Sequence, residues 1–172
     1  MWEGVFPDGR KLKVNVLLVD NLRAVNPAFD DRYAALSPTA DVIIYNGHAA
    51  LGDNVRALTR KGRFVPGQYT IVSMMGCDSF AYVDGYMSQQ RAKLNPDDPD
   101  GTRFLDMITN VTPANPTWFP AEAASLLEML GDIKRPSSYE QILRTWDAKH
   151  IAVVTGEEDN TFTPGTPVLT KK

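Results

Sequence analysis

The chain has 172 residues, 43% hydrophobic and 23% charged, the size and composition of one ordinary folded domain rather than of a disordered or fibrous chain. Eighteen basic against 21 acidic residues leave a net charge of -3, so there is no electrostatic footprint for nucleic acid. No apolar run approaches the roughly 18 residues of a membrane span, which excludes a transmembrane helix.

The opening residues, MWEGVFPDG, lack a basic stretch followed by an apolar one, so no signal peptide is expected. Residues 12–20 (LKVNVLLVD) are rich in Val and Leu and predict a first strand ending at Asp20. Residues 27–36 carry Phe29, Tyr33 and Leu36 at helical intervals. Residues 41–46 (DVIIYN) predict a second strand that stops at Gly47. Leu51, Val55 and Leu58 then predict a helix over 50–61, with Gly62 as its stop. Residues 69–75 (YTIVSMM) predict a third strand, ending at Gly76. Tyr82, Tyr86 and Met87 read as packing residues of the following helix.

Residues 95–101 (NPDDPDG) predict an exposed Asp-Pro turn. Asp97, Asp98 and Asp100 resemble a calcium loop, but no Glu stands at the spacing needed to complete one. Residues 104–111 (FLDMITNV) read as a strand, followed by a second Pro-rich exposed loop over 113–120. Trp118 and Phe119 in that loop either line a groove or anchor the chain, and anchoring is the more economical reading. Pro120 opens a helix over 121–130. Ser138, with Gln141 three residues on, opens another over 138–149 by a capping box. Residues 151–155 (IAVVT) predict the last strand, and His150 just before it is placed at the sheet end opposite His48, in a structural role. Short apolar strands alternating with helices predict one α/β domain over residues 1–160 with a mainly parallel sheet. Residues 161–172, rich in Thr and Pro, read as a tail or as a linker within a larger multidomain protein.

Ligands of open α/β sheets bind beyond the carboxyl ends of the strands. Two reactive side chains fall there: His48 after Gly47, and Cys77 after Gly76. Strands joined by one crossover helix are usually neighbours, so the two would face each other across one sheet edge. A thiol is strongly nucleophilic near neutral pH, and an imidazole beside it can deprotonate it or protonate a leaving amine. A lone cysteine more often fills space in a core, and it is the matched placement of His48 that argues for chemistry. With one cysteine, the chain holds neither an intrachain disulfide nor a Cys-based zinc site, and no metal or cofactor is expected. A single thiol is compatible with a cytoplasmic or a secreted protein alike.

The segments at 42–52 (VIIYNGHAALG) and 69–80 (YTIVSMMGCDSF) together resemble the caspase–gingipain–legumain superfamily of cysteine peptidases, and more its bacterial, gingipain-type members. The likeness covers residues 12–112 as a strand–helix series, with only these two segments specific. It implies a caspase-like three-layer sandwich, a Cys nucleophile, and a His acting mainly as acid to the leaving group. It also implies an oxyanion hole from the backbone amides of Cys77 and of the residue after the His. The family has Gly at that last position. Here it is Ala49, which is small and still offers an N–H.

In this superfamily a pocket near the strand ends reads the residue before the scissile bond of a protein or peptide substrate. Acidic candidates are Asp20, Asp78 beside the nucleophile, and Glu157, Glu158 and Asp159, with Asp20 preferred; an acid there would select Arg or Lys. Cysteine endopeptidase is therefore the expected activity. Another thiol hydrolase or amidotransferase is disfavoured because MGCDS lacks a Gly-x-Cys-x-Gly elbow. A catalytically degenerate, peptidase-like binding or structural module is the alternative.

Overall fold

The first apolar run does not enter the main sheet. In the computed structural model, which describes residues 1–23 and 27–156, Trp2–Val5 (β1) and Lys11–Val14 (β2) pair antiparallel as a separate hairpin. Residues 15–20 run on outside any ladder. Leu17 and Val19 pack against the core, while Val16 and Leu18 on the other side are exposed. The Val- and Leu-rich run thus forms a ladder only up to Val14, its later residues burying one side by packing alone, and Asn15 is held by the Arg32 guanidinium at 3.0 Å.

The remaining runs behave as their composition predicts. Helix α1 (Pro27–Leu36) leads to β3 (Val42–Asn46), α2 (Asp53–Lys61) to β4 (Thr70–Met75), and α3 (Tyr86–Leu94) to β5 (Leu105–Asn110). Helices α4 (Phe119–Gly131) and α5 (Tyr139–Leu143) then precede β6 (Ala152–Thr155). The sheet order is β3-β4-β5-β6. The first three strands are parallel, and β6 runs antiparallel to β5, so the α/β sheet is mixed. Gly62 closes α2 by donating to the Leu58 carbonyl at 3.0 Å. The Ser138–Gln141 capping box starts α5. That helix is shorter than residues 138–149, because tightened bonds from Thr145 to Ile142 O and from Trp146 to Leu143 O end it.

Side chains of β4 alternate between two cores. Val72 and Met74 meet Tyr33, Leu58 and Met87 of α1, α2 and α3, whereas Ile71 and Met75 meet Leu126 of α4 and Tyr139 and Ile142 of α5. Helices thus cover both faces. Every residue of β4 and β5 is buried, as befits central strands. The 95–101 loop is less exposed than its prolines suggest. Asn95, Asp98 and Gly101 are buried, with Asp98 accepting from the Gly101 N–H at 3.0 Å and standing by the buried Arg91, whose guanidinium loses some basicity to burial. No helix of the described residues is long and apolar enough to cross a membrane.

Candidate active site

β3 and β4 end together, with Asn46 opposite Met75. Gly47 extends the ladder one step by donating to Met75 O at 3.0 Å. Gly76 then lies so close to the turn after β3 that a Cβ on it would stand 2.6 Å from Gly47 O and 3.1 Å from Ala49 N. Only glycine fits there. The two turns touch backbone to backbone, and the next residue along each, His48 and Cys77, is exposed. The thiol is free. Ala49 is buried, yet among the described residues neither its amide nor that of Cys77 donates a hydrogen bond.

Both turns are held from behind. The His48 carbonyl accepts from the Tyr45 hydroxyl at 2.8 Å and from Asn54 Nδ2 at 2.5 Å, and Asn54 also donates to Tyr45 at 2.9 Å. Burial raises the Tyr45 phenol above its ordinary pKa, which keeps it a donor. Beyond Ala49 the chain takes three left-handed residues in a row, Ala50 (φ 50°), Leu51 (φ 53°) and Gly52 (φ 86°). The two non-glycines cost about 1 kcal/mol each. Gly52 packs on Tyr82 from the short 3₁₀ turn over Ser79–Tyr82.

Behind Cys77, Asn110 at the end of β5 grips Gly76 on both sides. Its Oδ1 accepts from Gly76 N–H at 2.9 Å, and its Nδ2 donates to Gly76 O at 2.7 Å and to Thr112 O at 2.6 Å. The single Ser79 hydroxyl proton is shared between two acceptors, Met74 O at 2.6 Å and Asn110 Oδ1 at 2.7 Å, while Ser79 Oγ accepts the Asn110 amide at 3.0 Å. Ala114 N–H adds a further bond to Gly76 O at 3.0 Å. Sequence reasoning missed Asn110, Ser79, Tyr45 and Asn54. The one trace of them is an Asn closing an apolar strand, which is too common to single out.

The acidic candidates differ in setting. Asp78 follows the thiol in a left-handed conformation (φ 44°), with a buried Oδ1 that has no hydrogen-bond partner among the described residues. Asp20 is exposed on the stretch between β2 and α1, outside any strand. Glu157, Glu158 and Asp159 lie outside the described residues, as does the 161–172 tail.

His150 is on the same sheet end as His48, not the opposite one, because β6 runs antiparallel. It is nonetheless built in. Its side chain is 0% exposed, Nδ1 lies 2.7 Å from Glu122 Oε1, and the ring is flanked by Trp118 and Trp146 at 5.3 and 5.5 Å between centroids. Trp118 therefore anchors its loop. Comparison with protein-family models, with curated proteins and with solved structures finds no match to this chain.

Proposed function

We propose that the chain is a cysteine peptidase domain of caspase-like architecture that hydrolyses peptide bonds with a Cys77–His48 dyad. The observation that carries this reading is the backbone contact of Gly76 with Gly47 and Ala49, which brings an exposed thiol, an exposed imidazole and two unbonded amides to one sheet end. Helices on both faces of a sheet whose parallel strands end in the His and the Cys are what the resemblance implies.

In this mechanism the Cys77 thiolate attacks the scissile carbonyl carbon, and the N–H groups of Cys77 and Ala49 hold the oxygen as it becomes negative. The C–N bond breaks as the His48 imidazolium gives its proton to the leaving amine, leaving a thioester on Cys77. Water then attacks the thioester, the acid product leaves, and thiolate and imidazolium are restored. Asp78, the residue next to the nucleophile and partly exposed, is the acid proposed to favour a basic residue before the scissile bond.

The test is a panel of fluorogenic peptides varying Arg, Lys, Asn and Asp before the scissile bond, given to the wild type and to Cys77→Ala. Wild-type turnover, highest for Arg or Lys, should fall at least about 1000-fold in Cys77→Ala. No turnover of any peptide, together with a Cys77 inert to iodoacetamide in the folded protein, would sink the peptidase and leave a binding module.

A further inference from the structure

We propose that Asn110 is a positioning residue whose side-chain amide aims the Cys77 N–H outward as an oxyanion donor. The inference rests on the reading of Cys77 as the nucleophile.

The argument begins with the geometry of one peptide bond. The described chain contains no cis peptides, and in a trans peptide the carbonyl and the following N–H point opposite ways. The orientation of Gly76 C=O therefore decides that of Cys77 N–H. Gly76 O is fixed by two donors, Asn110 Nδ2 at 2.7 Å and Ala114 N at 3.0 Å, which occupy both of its lone pairs. Its own N–H is taken by Asn110 Oδ1 at 2.9 Å. With the carbonyl turned inward, the Cys77 N–H faces away from these donors, bonded to nothing among the described residues and on the same residue as the exposed thiol.

The residue type matters. Asn110 is fully buried and must supply two acceptor positions, for Gly76 N–H and Ser79 Oγ, and two donors, for Gly76 O and Thr112 O. A primary amide offers two of each; both donors and one acceptor position are used outright, and the second acceptor shares the Ser79 proton with Met74 O. A carboxylate would set an oxygen against two carbonyls, and an apolar side chain would leave Gly76 N–H and Thr112 O without these bonds and Gly76 O with Ala114 N–H alone. A residue that merely sealed the end of the sheet would need only to be buried. Holding both the N–H and the C=O of the residue before a candidate nucleophile restricts rotation of the two peptide units that flank it.

Three measurements test this: kcat and KM on a cleaved peptide, the rate of Cys77 alkylation by iodoacetamide, and amide hydrogen exchange at Gly76 and Cys77. Alkylation displaces iodide at a saturated carbon and builds no oxyanion, so it reads the thiol and not the hole. In Asn110→Asp, kcat should fall about 100-fold, as when one oxyanion donor is lost, with KM and the alkylation rate within about twofold of wild type. Ser79→Ala, which frees one side of the amide, should lower kcat about tenfold on the same pattern, and it carries the test if Asn110→Asp does not fold. Alkylation falling in step with kcat, or an unchanged kcat, would overturn the proposal. Exchange needs no turnover: in the wild type the Gly76 N–H should exchange at least about 100-fold more slowly than that of Cys77. Equal protection of the two would also overturn the proposal. A wild type that cleaves nothing but shows this exchange contrast would refute the peptidase and retain the oriented amide.

Discussion

β5 buries a polar side chain at each end of the same sheet face: Asp106 near its start and Asn110 at its finish, 2% and 0% exposed. Asp106 Oδ2 accepts the hydroxyls of Tyr69 and, at 2.5 Å, of Tyr139, the first residue of α5. Those bonds tie a helix and a loop to the sheet. Burial, reinforced by the neighbouring Tyr69 and Asp106, drives the Tyr139 phenol far above its ordinary pKa. Asn110 is equally saturated, but its partners are the backbone of a turn whose next residue is an exposed thiol. One end turns a buried polar group into cohesion, while the other uses it to hold a surface feature in place. A buried polar residue is thus read by what it grips as well as by how well it is satisfied.

The contrast predicts which end should carry stability and which should carry reactivity. Asp106→Ala leaves the Tyr139 hydroxyl buried without its acceptor and should cost about 2–4 kcal/mol in urea unfolding, with Cys77 alkylation unchanged. A collapse of alkylation in that variant would mean the two ends are one cooperative unit.

At the other end, Gly76→Ala places a methyl 2.6 Å from Gly47 O, a backbone atom that cannot swing aside. The two turns should part, at a cost of about 1–3 kcal/mol, and any peptide turnover should drop more than tenfold as His48 and Cys77 separate. Peptide kinetics beside a urea curve checks both halves.

The smallest effect is alkaline. The unfolded Tyr139 phenol ionises near pH 10, whereas the folded one is held protonated by burial. Its contribution is fully present below about pH 10 and is lost as pH rises above it, with a slope approaching about 1.4 kcal/mol per pH unit. Unfolding measured from pH 8 to 11.5 should show a shallower decline in Tyr139→Phe by that amount. Identical slopes would deny that the Asp106 end carries this stability.

Much of the α/β layering was legible because its signals are local. Val/Ile-rich runs stopped by Gly47 and Gly76, a helix stopped by Gly62 and the Ser138–Gln141 capping box all read correctly from neighbours in the chain. The stretch at 12–20 was a strand only as far as Val14, because a Val- and Leu-rich composition reports apolar character and says nothing of where a ladder stops or which sheet it joins. His150 was assigned to the wrong end because a short strand after two helices carries no mark of its direction, and only its pairing with β5 shows it antiparallel.

The sequence by itself determined which two side chains stand at strand ends with a glycine before each, since strand, stop and reactive residue are consecutive. Tertiary structure decided that Gly76 presses on Gly47 and Ala49, that Asn110 reaches across from β5 to clamp the intervening backbone, and that Asp20 lies outside any strand. Those contacts join residues about 30 or more positions apart in the chain, and sheet register, which no local pattern encodes, is what brings them within hydrogen-bonding distance.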